Sequence, residues 1–302
     1  MLFPGHLSRE GRHAGEYVPG PNRLRRALII LTVLLLLALL AWPFVEPYML
    51  QVETTVLRSA DLPAALGQLR IVYLSDIHKG GTFGDGRMTS LIARVNALNA
   101  DLVLLGGDYA QDSASAVEFF RTMPRIHSRY GVFAVVGNHD RTLPESNLNQ
   151  LKAAMQAAGV TPLVNAVQRV RIGTTEICLA GLDDVNNGHP DLKGVAAQTR
   201  QEDYVIFLCH SPEIIPQALN AVDGRGQMRW FDLGLFGHTH GGQVALFGGL
   251  IRDEQVDARY ASGWVHQNRA DLLTSRGVGT SVLPIRLLCR PQLHLITINR
   301  AN

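Results

Sequence analysis

Cysteine is scarce in this chain, with 3 in 302 residues. Cys178, Cys209 and Cys289 lie in apolar stretches and form no Cys-x-x-Cys pair, which argues against a zinc knuckle or a dithiol redox motif. Cys209 directly precedes His210. A strand over 205–208 would turn the two to opposite faces, so Cys209 reads as a core residue rather than a nucleophile. Charge of one sign is also missing: 28 basic residues against 26 acidic ones give a formal net charge of +2. The soluble part has no Lys/Arg block and no interleaved aromatic run, so no nucleic-acid partner is expected. There is no internal repeat.

What the chain does have is one long apolar run. Residues 27–45 carry no charge and are apolar except for Thr32. At about 1.5 Å per residue the run matches the ~30 Å hydrocarbon core of a bilayer. A soluble helix of that length rarely lacks a polar face. Trp42 and Tyr48 stand where an interfacial belt would lie. Arg9, Arg12, Arg23, Arg25 and Arg26 precede the run, whereas Arg58 follows among Glu46, Glu53 and Asp61. This bias predicts a single-pass span with a cytoplasmic N-terminus and the following domain outside. The run is long for a cleaved signal peptide, and no small-x-small cleavage site follows it.

The expected organisation is a basic disordered tail over 1–26, a transmembrane helix over 27–48, a connector and edge strand over 49–68, and a folded domain over 69–302. Strands are expected at 69–74, 102–105, 132–136, 164–170, 176–179, 205–208, 233–236, 244–251, 271–274 and 293–298. Helices are expected at 88–98, 114–123, 146–158 and 214–221. Strand–helix alternation giving way to strand-rich sequence predicts an α/β sandwich.

Five of the apolar strands end in candidate metal ligands. The 69–74 run delivers Asp76 and His78; 102–105 passes through Gly106-Gly107 into Asp108; 132–136 passes through Gly137 into Asn138-His139-Asp140. The 205–208 run delivers His210, and 233–236 passes through Gly237 into His238-Thr239-His240. In covered sheets, ligands gather beyond strand carboxyl ends. Imidazole with carboxylate and no thiolate suits Mn, Fe or Zn. Seven donors exceed one tetrahedral site and suit two ions about 3.5–4 Å apart, bridged by a carboxylate, with Asp108 the natural bridge. Singly, each residue has an ordinary use as a cap, a turn residue or a surface histidine. Jointly, His78, His139, His210, His238 and His240 share a placement that His6, His13, His127, His189, His266 and His294 lack.

Ser75-Asp76-Ile77-His78, Gly107-Asp108, Gly137-Asn138-His139-Asp140, His210 and Gly237-His238-Thr239-His240 resemble, complete and in order, the motifs of the calcineurin-like metallophosphoesterases. With the apolar span, Gly241-Gly242-Gln243 and the 277–286 tail, the chain is similar to the membrane-anchored bacterial branch. The resemblance implies a four-layer α/β/β/α sandwich and hydrolysis of phosphoester bonds by a hydroxide that two divalent metal ions activate. It implies that Asp76, His78 and His240 hold one ion, that Asn138, His210 and His238 hold the other, and that Asp108 bridges. His139 would protonate the leaving oxygen or steady the phosphoryl group, with Asp140 beside it as an orienting carboxylate. Some relatives carry a histidine just after the bridging aspartate; here Tyr109 and Ala110 stand there.

The expected substrate is a phosphodiester or phosphomonoester, soluble or lipid-linked, near a membrane. An alternative within the same branch is a UDP-2,3-diacylglucosamine diphosphatase of lipid A biosynthesis. That substrate is cytoplasmic, whereas the flanking charge places the domain outside. A non-catalytic scaffold is disfavoured by the complete ligand set, and a nuclease by the flat charge. Arg276 and Arg286 read equally as phosphate-holding or as surface arginines. Asp183-Asp184 reads better as a turn than as part of the site.

Overall fold

The computed structural model describes residues 22–142, 144–245 and 254–301. The expected tail up to residue 21, and most of the strand expected at 244–251, lie outside them. The chain divides into two compact units, Met1–Ala41 and Trp42–Asn302. In the first, helix α1 (Arg23–Val45, whose last residues belong to the second unit) leaves its leucines exposed; Leu31 and Leu40 are typical. It is the one helix among the described residues long and apolar enough to cross a membrane.

The second unit holds two six-stranded sheets. The first runs β1 (Gln51–Ser59), β12 (Gln292–Arg300), β2 (Gln68–Leu74), β3 (Leu102–Leu105), β4 (Val132–Ala134) and β5 (Val160–Pro162), parallel from β2 to β5. The second runs β10 (Gly263–Gln267), β11 (Ala270–Thr274), β9 (Leu233–Phe236), β8 (Val205–Leu208), β7 (Thr175–Gly181) and β6 (Ala166–Ile172). Strands β7, β8, β9 and β11 are parallel. Helices α2 (Asp85–Ala97), α3 (Ser113–Thr122) and α4 (Glu145–Ala157) cover the first sheet; α5 (Leu192–Ala196) and α6 (Ile215–Asn220) cover the second.

Strand alternation builds these layers. In β2, Leu69, Ile71 and Tyr73 point into the core between the sheets, with Leu179, Ile206 and Leu235 opposite. Val72 and Leu74 point the other way, onto Leu91 of α2 and Phe119 of α3. In the second sheet Phe207 and Cys209 face α6 and Trp230. The result is the four-layer α/β/β/α sandwich. The predicted opposition of Cys209 and His210 is observed, and burial pushes the Cys209 thiol far up. Strands β5 and β10 and helix α5 were not expected. Each is short, and β5 and β10 carry only a few apolar residues.

Candidate metal centre

The carboxyl ends of β2, β3, β4, β8 and β9 converge on one point of the sandwich. Close approach there requires missing side chains. A Cβ on Gly137 would lie 2.2 Å from Asp108 Oδ1, and one on Gly107, at φ +94°, 2.6 Å from the Gly137 amide nitrogen. The ligand candidates themselves are strained. Asp76, His78, Asp108, His238 and His240 all have φ between 47° and 71°. Bulky non-glycine residues seldom adopt this region, and such strain clusters at functional sites.

Asp76, His78 and His240 form one group. Their ligand atoms lie within 4.8 Å of one another, with His78 Nε2 3.0 Å from His240 Nε2 and His240 Nε2 3.6 Å from Asp76 Oδ1. Asp108 stands between the groups: its Oδ2 is 3.6 Å from His78 Nε2 and 3.2 Å from His210 Nε2. On the far side, His238 Nδ1 meets Asn138 Oδ1 at 3.0 Å. The centre brings all seven candidate ligands together.

Several buried atoms here have no hydrogen-bond partner: Asp76 Oδ2, His78 Nδ1 and His210 Nε2. Unsatisfied buried donors and acceptors are costly, so a cluster of them fits a cation site. The His210 Nδ1–H donates to Gly106 O at 2.8 Å, which turns the lone pair of Nε2 toward Asp108. Burial pushes the His78 imidazole below its ordinary pKa; burial, then His78 and Arg286, do the same to His240. Both are thereby held neutral, as metal ligation needs. Burial also opposes ionisation of Asp108, but a protonated His210 outweighs it, and the same pairing with Asp108 raises His210 above its ordinary value; a divalent cation would take that proton's place between them. The donor set fits divalent metal.

His139 lies at the half-buried rim. Its ring meets His78 edge-on at 4.8 Å, its amide donates to Asp108 Oδ1, and its Nδ1–H donates to Gln111 O at 2.9 Å. Gln111, which the sequence did not single out, therefore orients it. Asp140 does not, which corrects the expectation. Its carboxylate is buried and accepts from the amides of Asp108, Tyr109 and Gly137, knitting two ligand loops together. Burial and the neighbouring Asp108 push Asp140 up to about 8.

Arg286 is neither at the surface nor available to a substrate. Fully buried, it donates to Gly279 O, Cys289 O and Arg276 O, and its Nη2 donates to His240 Nδ1 at 3.3 Å. Arg276 is half-buried, its stem packed near Gly241. Asp184 serves the predicted turn, accepting from the Asn186 and Asn187 amides; Asp183 pairs with Arg141. The turn nonetheless touches the site, because the Asn187 side-chain amide donates to Asn138 O.

The family model for calcineurin-like phosphoesterases matches residues 69–242. The chain belongs to that family. This phosphoesterase is 27% identical to the metallophosphoesterase YkuE of Bacillus subtilis over 264 residues, 86% of this chain and 89% of that one. It is 29% identical to the phosphodiesterase YaeI of Escherichia coli over 238 residues, 76% and 82% of the two chains. It is 33% identical to a transmembrane protein with metallophosphoesterase domain of Bos taurus over 236 residues, 72% of this chain and 50% of that one. This phosphoesterase is a hydrolase of phosphate esters. Its apolar helix and the transmembrane relative together suggest membrane anchoring.

Proposed function

We propose that this phosphoesterase hydrolyses phosphodiesters with two divalent ions at a membrane-anchored site. Asp76, His78 and His240 would hold one ion, Asn138, His210 and His238 the other, and Asp108 would serve both. The observation that carries this reading is the convergence of seven donors, five of them on strained backbone, around unsatisfied buried atoms. When bound, the ions would lower the pKa of water to make a nucleophile and withdraw charge from the phosphoryl oxygens. Asp108 stays ionised between the two groups. His139, whose Nδ1–H is held by Gln111 O, keeps Nε2 for the leaving group: in its imidazolium form the Nε2–H is the proton given to the leaving oxygen.

The diester preference is supported by the relative named a phosphodiesterase. The flanking charge supports an N-terminus in the cytoplasm and a catalytic unit outside a bacterial inner membrane. Hydrolysis of bis-p-nitrophenyl phosphate with Mn, Zn or Mg, against metal-free protein, tests the chemistry. Turnover that ignores added metal overturns it.

A further inference from the structure

The loop that closes the metal centre has an unusual build. Its interior is polar and fully engaged. Gln243 accepts from the Ser281 amide and donates to Leu283 O, while Arg286 gathers the carbonyls of Gly279, Arg276 and Cys289. Its outside is aliphatic: Val282 is 86% exposed and Leu288 64%, and Leu283 is exposed beside them. Val282 and Leu288 both sit at positive φ, 60° and 54°, where a branched aliphatic residue is a genuine outlier. The fold strains its backbone to turn two apolar side chains outward from a rigid loop.

The same loop is fastened to the end of the apolar run. The Arg286 amide donates to Pro43 O, and the buried Glu46 carboxylate accepts from the Leu288 and Cys289 amides and from Trp42 Nε1. Arg87 stacks on Tyr48 and donates to Pro47 O. Phe44, Val45 and Tyr48 are themselves exposed. Residues 42–48 would stand at the boundary of any bilayer that the run crosses, so the loop tied to them is held at the same boundary. A groove of about 460 Å³ is walled by Val282, Leu283 and Pro284 of this loop on one side and by Gly80 and Gln111, the partner of His139, on the other.

We propose that Val282, Leu283 and Leu288, with Phe44, Val45 and Tyr48, form a face that docks on the lipid bilayer beside this groove, through which substrate reaches His139. Exposed apolar patches mark such contacts, and aromatics favour the interface. The consequence for substrate rests on the phosphodiesterase reading: the groove receives phosphodiesters that carry a hydrocarbon chain and are presented at the membrane surface.

The test uses the full chain in vesicles of phosphatidylethanolamine and phosphatidylglycerol containing doxyl-labelled lipid. The native cysteines are buried. An environment-sensitive fluorophore can therefore be attached to Val282→Cys, to Leu288→Cys, and to Thr174→Cys in the exposed hairpin turn at the opposite strand ends. The expected result is a blue shift and at least twofold quenching at 282 and 288, with neither at 174. Equal quenching at all three positions, or none, overturns the docking face. So does shielding from doxyl lipid together with self-quenching, which would mean that a second copy covers it. This readout needs no turnover, so it fails separately from the chemistry. For substrate, L288D, which does not line the groove, should lose at least tenfold on vesicle-borne hexadecyl p-nitrophenyl phosphate while keeping within twofold its rate on soluble bis-p-nitrophenyl phosphate. Parallel loss on both substrates, or loss on neither, contradicts membrane presentation.

Discussion

At the scale of single residues, the centre separates the candidate metal ligands from the side chains that position them. Asp108→Asn or His238→Ala should abolish metal-dependent hydrolysis and lower the metal bound per chain, read by elemental analysis beside the rate. His139→Ala should keep its metal and lose about 10²–10⁴ in kcat, the usual contribution of a positioned acid. Loss of metal in that variant would show that His139 is a ligand instead. Arg286→Met leaves several buried carbonyls without a donor. It should cost roughly 2–4 kcal/mol in thermal or denaturant unfolding, and Arg286→Lys should not rescue it, because an ammonium cannot span the same acceptors.

Of these residues the ligands were legible and the supports were not. Asp76, His78, Asp108, Asn138, His210, His238 and His240 each follow an apolar run, so pattern and residue type point to them together. Arg286 carries no such mark. Its burial follows from a loop that folds back across long sequence separations, and local sequence does not encode that. Asp140 was misread because adjacency in sequence suggested a contact with His139, whereas the chain turns and sends the carboxylate to the amides of Asp108 and Tyr109.

Among elements, strand β12 supplies a pH dependence. His294 is buried there with its Nε2 beside Ser275 Oγ, and burial, with Arg276 nearby, lowers it to about 4. An unfolded histidine titrates near 6.5. Between those values the unfolded chain takes up a proton that the folded one refuses, so stability present above pH 6.5 is lost as pH falls toward 4. The slope is about 1.4 kcal/mol per pH unit for this one group. His294→Gln should flatten that part of the curve relative to the parent chain, measured by denaturant midpoints at pH 7.5, 6 and 5. An unchanged slope would mean that the imidazole is already protonated in the fold.

The long strands and helices were readable because alternation in β2 and β8, and the Leu91–Val95 spacing in α2, each encode a buried face. The short elements β5 and β10 had no such signal. Their pairing comes from neighbours already in place, as where Val160 to Pro162 lies along β4. Truncating Ile71, which fills the core between the sheets, to alanine should cost about 2–5 kcal/mol.

For the whole molecule, two sheets packed face to face bring five strand ends to one point, and the loop over residues 286–289 beside it is bonded to the end of the apolar run. Each half was visible in sequence; their joining through Glu46 and Arg286 was not, because it depends on amides of residues 286–289 meeting residues 43–46. The most direct test of the account is a titration of metal-free protein with Mn, following bound metal and hydrolysis of bis-p-nitrophenyl phosphate together. The account predicts that activity rises to its plateau as the second ion binds, and that D108N binds fewer ions and stays inactive. Full activity in the metal-free protein, or at one ion per chain, would contradict it.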